Sequence, residues 1–326
     1  MMGAHMFNVL AVLAFVVAIG CRDADAWGCD GHRAVVFIAE RLLSPATLSR
    51  IRPDLAAAPI DPALRRFCEP VADDPIADSS TWADDYRDVD ATTAGWHFID
   101  VPRDATLTAA SARTWCPAGR CVVDVIAAQF RVLRSADATS KGNALRFLLH
   151  LIGDIHQPLH ATTNGDRGGN CVPVTYGDRV PQQNDRGDWS PNLHSVWDTS
   201  TIRTLMATNG LDGPRALAGY VAARQPLPAP VAATAPTKQV VVRWAQGAHA
   251  LGQSVVYPRL PVAVPLEPRS AARLQSCADN RDVGKRMLAR HEVIDSGYER
   301  SGLPVIVEQL RLAGIRLAAA LEAAYQ

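Results

Sequence analysis

Two histidine–aspartate pairs with the same spacing stand out in the sequence. His150 and Asp154 lie four residues apart in a stretch of helical periodicity, and His194 and Asp198 repeat that spacing. Residues four apart share one face of a helix, so an imidazole and a carboxylate in this arrangement can bind one divalent ion together. A single pair could equally form a salt bridge or a helix-capping contact. The recurrence of the pair favours metal binding.

Three further candidate ligands lie before or between these pairs. Asp84 precedes Arg87 by three residues, His97 stands among large apolar residues, and His160 follows a proline at the predicted end of the first pair's helix. Asp84 and His97 each have an alternative interpretation: acidic residues with arginine are typical of a solvated surface, and a lone histidine in apolar surroundings is typical of a core residue bonded to a carbonyl. We interpret them as ligands because they accompany the pairs.

The start of the chain predicts export. An apolar stretch from Phe7 to Ile19 precedes a small-residue site ending at Ala26, which indicates a secretory signal peptide over residues 1–26. Cleavage there would make Trp27 the first residue, and its free amine could bind metal beside His32. A retained anchor and lipidation at Cys21 are the alternatives, and lipidation would leave Trp27 without a free amine. We expect a secreted or periplasmic protein without stable membrane association.

The candidate ligands are five histidines, three aspartates and one amino terminus. Nitrogen and oxygen ligands without thiolate suit zinc, with manganese or iron as the less favoured alternatives. Nine ligating residues exceed the needs of one ion, so we expect two or three. The remaining histidines of the mature chain, His156, His249 and His291, are interpreted as structural. The candidates are Trp27, His32, Asp84, His97, His150, Asp154, His160, His194 and Asp198.

Six cysteines remain after the predicted cleavage. An even count in an exported chain favours disulfides, and only Cys116 and Cys121 are close together, without a Cys-x-x-Cys pair of the kind that binds metal. Metal ligation by the cysteines is the alternative. The other four are Cys29, Cys68, Cys171 and Cys277.

The apolar pattern predicts an all-α fold. Helical spacing recurs in six segments, whereas alternating strand patterns are scarce. The intervening stretches are rich in turn residues but are not polar enough to be domain linkers. We therefore predict one mostly helical domain over residues 27–326 with long loops. The helical segments are Val35–Leu43, Val122–Leu133, Ala144–Ile152, Val240–Val256, Val283–Ile294 and Leu303–Leu321, and the loops are Arg52–Pro62, Asn164–Pro191, Pro226–Pro236 and Pro258–Pro268.

The overall charge excludes one common class of nucleic-acid binder. The 33 basic and 33 acidic side chains cancel, so the composition does not indicate a broad basic surface. Any affinity for phosphate must therefore arise locally.

Taken together, the motifs resemble those of the zinc-dependent, single-strand-specific type I nucleases, a mung-bean-nuclease-like family with a trinuclear zinc site in the phospholipase C/nuclease superfamily. They run in the family's order from Trp27 to Asp198, and beyond Asp198 only a helical carboxyl-terminal third is similar. The motifs are Trp-x4-His, Trp-Ala-Asp-x-x-Arg, His-Phe-Ile-Asp, His-x3-Asp-x-x-Gln-Pro-Leu-His and Asn-Leu-His-x3-Asp.

The resemblance implies three zinc ions per chain with a shared carboxylate. Asp154 would take part in two sites and bridge ions. The first zinc would be held by Asp84, His97, His150 and Asp154, the second by His160, His194 and Asp198, and the third by Trp27, His32 and Asp154. Three zinc ions against three carboxylates would leave a local excess of positive charge for phosphate.

The resemblance also implies the reaction. A zinc-bound hydroxide would attack phosphorus, because coordination lowers the pKa of water to about 7. Asp84 would orient it and Arg87 would assist at the phosphate, while Phe98 would stack on a base and Asp100 would meet the base edge. The substrates would be single-stranded DNA and RNA, cut to 5′-phosphorylated nucleotides, and 3′-mononucleotides. We expect a monomer.

The sequence departs from the family pattern in one loop and leaves one pairing question open. The segment from His160 to Asn170 is about one residue longer than in some family members, with Asp166-Arg167 before two glycines. The resemblance implies a disulfide between Cys116 and Cys121, whereas three pairings of the other four cysteines stay open.

Two alternative functions remain at this point. A zinc phospholipase C shares the trinuclear layout and the amino-terminal Trp, but it has glutamate where this chain has Asp198. A non-catalytic zinc-binding envelope protein would use the same ligands without turnover.

Overall fold

The computed structural model describes residues 27–135, 137–185, 187–262, 266, 276–280 and 292–326. The predicted signal peptide, the predicted structural histidine His291 and parts of the last predicted loop and of the helix predicted to begin at Val283 lie outside the described residues. No helix in the described ranges is both long and apolar enough to cross a bilayer.

Most of the described chain is helical, in α-helices and shorter 3-10 and π turns, which confirms the predicted all-α single domain. The helices are α1 Gly28–Glu40, α2 Pro45–Ala56, α3 Pro75–Ser79, α4 Trp82–Tyr86, α5 Ala112–Trp115, α6 Val122–Ser135, α7 Ala138–Asp154, α8 Leu193–Ser195, α9 Thr201–Thr208, α10 Gly213–Arg224, α11 Lys238–Leu251 and α12 Ser296–Tyr325.

Strands are few and short. β1 (Thr175–Tyr176) pairs in parallel with β4 (Val293–Ile294), and β2 (Gln182–Gln183) pairs antiparallel with β3 (Trp189–Ser190). Both two-stranded sheets lie in loop regions between helices. The first sheet ties the loop that carries β1 to the segment before α12, whereas the second is a hairpin within that same loop.

Helix α7 lies at the centre of the core. It begins where the Asp137 side chain accepts a hydrogen bond from the Ser140 amide at 3.0 Å. From Ala144 to Asp154 its residues are buried on every side, because α6, α2, α4 and α12 pack around it. A helix surrounded in this way holds any polar side chain it carries away from bulk water.

Helices α1 and α12 form a second tightly packed pair. A Cβ atom added at Gly314 of α12 would lie 2.5 Å from Ile38 Cβ and 3.1 Å from the Val35 carbonyl oxygen. Glycine at this position lets the two helix backbones approach closely. α10 packs on α1 as well, so the amino-terminal helix is held from two sides.

Three disulfides cross-link the loops. Cys116–Cys121 forms as the resemblance implies, and the open pairing resolves to Cys29–Cys68 and Cys171–Cys277. The prediction of disulfides rather than cysteine metal sites is confirmed. Cys29–Cys68 fixes the first turn of α1 to the loop after α2.

Two predicted boundaries were wrong. The predicted loop from Arg52 is helical as far as Ala56, although Pro53 in the last turn of α2 has no amide to donate to the carbonyl four residues earlier. The prediction of a helix as far as Ile294 was wrong at its end, because Val293–Ile294 form strand β4, which pairs with β1.

The predicted Val240–Val256 helix changes character along its length. α11 ends at Leu251, and the chain continues as a π-helical turn over Gly252–Val256. The predicted segments did not include α2, α9 and α10 or the short helices α3, α4, α5 and α8.

Candidate metal centre

Six separate segments bring the predicted ligands to the end of α7. His150 and Asp154 stand on its last turns, His160 ends a 3-10 helix that follows, and Asp84 lies on α4. The other ligand positions come from a 3-10 helix ending at His97, from α1 at His32, and from α8 and the π-helical turn after it at His194 and Asp198. All eight side chains are buried.

Asp84, His97 and His150 form one group of candidate metal ligands, and Asp154 Oδ2 lies within 3.0–3.3 Å of both histidine rings. His97 Nδ1 lies 3.0 Å from Asp154 Oδ2, 3.1 Å from His150 Nε2 and 3.5 Å from Asp84 Oδ1. His150 Nε2 lies 3.3 Å from Asp154 Oδ2 and 3.4 Å from Asp84 Oδ1. Ligands at about 2.0–2.1 Å from a tetrahedral zinc are about 3.3 Å apart. The set therefore has the dimensions of a zinc site.

A second group consists of His160, His194 and Asp198. His194 Nε2 lies 3.1 Å from His160 Nε2 and 3.1 Å from Asp198 Oδ2. Both rings donate from Nδ1 to backbone carbonyls, His160 to His97 O at 2.8 Å and His194 to Gly168 O at 2.7 Å. In this neutral tautomer each Nε2 carries a lone pair, and the two lone pairs face each other. A cation bound between the two nitrogens would stabilise this arrangement.

The third group lies on the opposite side of Asp154. His32 Nε2 is 3.3 Å from Asp154 Oδ1, and both atoms are buried without a hydrogen-bond partner. Trp27 is completely buried, and its indole donates to the Gly153 carbonyl at 2.7 Å. This hydrogen bond places residue 27 beside Asp154. Buried polar atoms left without partners are unfavourable, so a ligand between them would offset that cost.

Space at these positions depends on glycine. A Cβ atom at Gly153 would lie 2.9 Å from His32 Nδ1, and one at Gly28 would lie 2.7 Å from Thr199 Oγ1. Gly28 also has a left-handed φ of 51°. The two glycines let the amino-terminal turn pack against α7 and the π-helical turn that carries Asp198.

The two carboxylate oxygens of Asp154 face different partners. Oδ2 lies among His97 and His150, whereas Oδ1 faces His32. The first and third groups therefore share this residue, and the rings of His32 and His150 stack with centroids 3.9 Å apart. A carboxylate in this position can bridge two cations.

Burial and charge prepare the ligands for metal. Burial lowers the pKa of His97 to about 4 and also lowers the pKa of His32 and His160, which keeps these rings neutral. Although burial acts against ionisation, contact with His150 holds the pKa of Asp84 and of Asp154 below the usual range. The carboxylates are therefore ionised and attract cations.

The pKa of His150 is raised. Burial lowers it, but the charges of Asp154 and Asp84 outweigh burial. The charge of Asp198 likewise outweighs burial at His194 and raises its pKa. A proton on either ring would occupy the position of a metal ion, and metal binding would release it.

The residues predicted to act on substrate lie at the edge of the ligand cluster. Arg87 Nη2 is 3.3 Å from Asp84 Oδ1 with 31% of its side chain exposed. Phe98 and Asp100 are half-buried and directly follow His97. Their segment is fixed by hydrogen bonds from the Ile99 amide to His160 O at 2.8 Å and from the Val122 amide to Phe98 O at 3.2 Å.

Sequence reasoning missed a buried glutamine next to the second group. Gln157 donates to Asp198 Oδ1 at 2.5 Å and accepts from the Leu159 amide at 2.5 Å, which orients the carboxylate toward His194. Its place in the Gln-Pro-Leu-His motif was the available signal. His150 is oriented by a backbone group, since its Nδ1 donates to Ser80 O at 2.8 Å.

Three neighbouring polar residues have structural partners. Asp85 binds the Phe67 amide at 2.6 Å and Arg66 Nε at 2.8 Å, which separates it from the ligand Asp84. His156 and His249 bind backbone carbonyls, as expected of structural histidines.

Comparison with known proteins gives consistent matches. A family model described as S1/P1 Nuclease matches residues 27–326. Nuclease S1 of Aspergillus oryzae is 26% identical over 304 residues, 91% of each chain. Endonuclease 2 of Arabidopsis thaliana is 25% identical over 334 residues, 98% of this chain and 97% of its own. Nuclease P1 of Penicillium citrinum is 29% identical over 190 residues, 57% of this chain and 62% of its own.

Proposed function

The chain belongs to the S1/P1 nuclease family, and from this we propose that it is an exported, zinc-dependent endonuclease. It would hydrolyse single-stranded DNA and RNA to 5′-phosphorylated nucleotides and would also act as a 3′-nucleotidase. The main support for this function is that three buried groups of candidate metal ligands lie close together, two of them linked through Asp154. Its relatives bear the names of nucleases and endonucleases.

Each group has a proposed set of protein ligands. Zinc held there would lower the pKa of coordinated water and neutralise charge developing on phosphate oxygens. Asp84 would orient the attacking water through the oxygen not engaged with the cluster. Asp154 would keep the first and third sites at a fixed separation, since one of its oxygens faces each group. Three ions would supply the local positive charge that the neutral composition does not.

The half-buried residues at the edge of the ligand cluster have substrate roles in this proposal. Arg87 stays close to Asp84 while part of its guanidinium is exposed, so it can donate to a phosphate oxygen at the centre. Phe98 would stack on a base and Asp100 would accept a hydrogen bond from the base edge. Stacking on one ring tolerates any base but requires that the base be unstacked, which favours single strands.

Export and maturation are part of the same proposal. The family match begins at Trp27, the residue that cleavage after Ala26 would make the first. The new amine would lie next to His32 and Asp154 and complete the third set of ligands. We propose that the mature enzyme is a secreted or periplasmic monomer.

Hydrolysis by the purified mature protein tests this function. Single-stranded DNA, RNA, duplex DNA, a 3′-mononucleotide and a phosphatidylcholine lipid would be assayed before chelation, after chelation and after zinc is restored. We expect chelator-sensitive release of 5′-phosphorylated nucleotides, fastest from single strands. Asp198→Asn should lower the rate about 100-fold, because it replaces a charged metal ligand with a neutral amide that binds zinc weakly.

Asp54→Asn is the matched control, because Asp54 accepts from Tyr325 in another part of the protein and should leave the rate unchanged. Turnover of the lipid without nucleic-acid hydrolysis would instead identify a phospholipase. Bound zinc with neither activity would identify a binding protein.

A further inference from the structure

One peptide unit connects a buried carboxylate to the second ligand group. The Gly168 carbonyl accepts from His194 Nδ1 at 2.7 Å, and the Gly169 amide of the same peptide donates to Asp166 Oδ1 at 2.9 Å. A trans peptide is planar, with its carbonyl and amide pointing in opposite directions. By holding the amide, Asp166 therefore fixes the direction from which the carbonyl meets the imidazole.

Asp166 is itself held rigidly. The residue is completely buried, and its Oδ1 also accepts from the Asn164 amide at 3.1 Å. The Tyr257 hydroxyl lies 2.9 Å from Oδ1 and 3.0 Å from Oδ2, so it donates to the carboxylate from the far side. Tyr257 is also fully buried, directly after the π-helical turn Gly252–Val256. The carboxylate is therefore held between the loop and a core side chain.

The loop has little freedom to rearrange. Gly168 and Gly169 have φ angles of 60° and 83° in the left-handed region, and Arg167 before them has 57°. A Cβ atom at Gly168 would lie 2.4 Å from the Leu159 carbonyl oxygen. The following Cys171 is bonded to Cys277. A turn this compact requires a central acceptor for its inward-pointing amides, and Asp166 provides it.

We propose that Asp166, held by Tyr257, is a positioning residue for the second metal site. It acts through the Gly168–Gly169 peptide to keep His194 Nε2 directed at the site shared with His160 and Asp198. Its negative charge also polarises the peptide, which makes the Gly168 carbonyl a stronger acceptor and His194 a more basic ligand. This inference rests on the proposed function, because it takes zinc as the occupant.

Zinc retention by the mature protein tests this role independently of activity. Zinc per chain would be measured at increasing chelator concentration for the unmodified protein and for Asp166→Ala, Asp166→Asn and Tyr257→Phe. We expect one zinc to dissociate about 10–100-fold more readily from Asp166→Ala. Asp166→Asn, which keeps an acceptor oxygen but loses the charge, and Tyr257→Phe should show smaller shifts in the same direction.

Tyr325→Phe is the matched control. This substitution also removes a tyrosine–aspartate hydrogen bond, because Tyr325 at the end of α12 donates to Asp54 at 2.8 Å. The variant should retain zinc as well as the unmodified protein does. If Asp166→Ala does not fold, Asp166→Asn and Tyr257→Phe still test the proposal. A general loss of stability would weaken the binding of all zinc ions. Weaker binding of one zinc ion alone therefore identifies a positioning role.

An Asp198→Asn background assigns the weakened zinc to a site. This protein should lack the second zinc, and adding Tyr257→Phe should then leave the remaining zinc affinities unchanged. Equal zinc release from all proteins, or further weakening of the remaining ions in this background, would overturn the positioning role. If the unmodified protein binds zinc and cleaves single strands while the variants retain zinc normally, only this inference fails. Absence of zinc from the unmodified protein would overturn the proposed function as well.

Discussion

At the scale of single residues, Asp154 contacts candidate ligands of two groups, namely His97 and His150 in the first group and His32 in the third. Its Oδ2 lies 3.0 Å from His97 Nδ1, and its Oδ1 lies 3.3 Å from His32 Nε2. Asp198, by contrast, directs one oxygen to His194 and engages the other with Gln157. The two aspartates therefore differ in how many metal sites they would serve.

This difference predicts unequal zinc losses on substitution. Asp154→Ala should lose the first and third zinc ions, because both sites use its oxygens, whereas Asp198→Ala should lose the second alone. Zinc would be counted per chain by native mass spectrometry after dialysis against dilute chelator. Equal losses in the two variants would show that Asp154 does not bridge. Asp54→Ala serves as a carboxylate control outside the centre.

The convergence of these candidate ligands was predictable because metal chemistry restricts residue types, and helical geometry restricts their spacing. All nine predicted ligand residues meet around the end of α7. The groups that orient them were not predictable in the same way. Backbone carbonyls such as Ser80 O and Gly168 O have no side-chain signature. The contact between Asp166 and Tyr257 joins residues 91 positions apart, a distance that only the fold bridges.

At the scale of elements, the centre depends on where helices end. α7 stops after Asp154, and the chain then turns through a short 3-10 helix that ends at His160. The second pair spans α8 and a π-helical turn over Val196–Ser200, and π-helical turns are frequent at functional sites. Irregular helix ends place ligands from neighbouring turns closer together than a continuous helix would.

A contact between α12 and the end of α7 predicts a specific pH dependence. His156 is fully buried, donates to Ile152 O at 2.6 Å and accepts from Arg316 Nη1 at 2.6 Å. Burial, with the nearby Arg316 charge, lowers its pKa to about 3. In the unfolded chain the pKa is about 6.5. Between these values the unfolded state binds a proton that the folded state does not, so stability should fall as pH decreases from 6.5 towards 3.

His156→Gln tests this contribution. Glutamine can accept from Arg316 but does not titrate, so the thermal midpoint should decrease less steeply with acidification than in the unmodified protein. Both proteins would be compared in chelator, so that loss of metal does not contribute to the difference. Parallel curves across pH 6.5 to 3 would contradict the assignment to His156.

Elements with strong apolar periodicity were predicted well, and those without it were not. The core-forming α6, α7 and α12 each extend beyond their predicted segments but include them. α10 was missed because its sequence is rich in alanine and glycine, whose small side chains give little periodic signal. α2 was not predicted at all, and its last turn was assigned to a loop from Arg52 because Pro53 is typical of a loop or a helix end.

At the scale of the whole molecule, disulfides and a buried amino-terminal segment hold the centre together. Cys29–Cys68 fixes α1 close to Trp27, and Phe67 beside Cys68 is bound by Asp85, the neighbour of Asp84. Cys171–Cys277 secures the loop that carries Asp166. The candidate metal ligands therefore come from distant parts of the sequence but lie in one framework that disulfides cross-link.

The most direct test of the trinuclear account is the zinc content of two chains that differ in one residue. One begins at Trp27 and the other retains Ala26, which converts the Trp27 amine into a peptide nitrogen that binds zinc poorly. We predict three zinc ions per chain for the first and two for the second, with nuclease activity on single strands reduced in the second. The same zinc count in both chains, or a chain beginning at Trp27 that binds fewer than three ions at saturating zinc, would contradict the account.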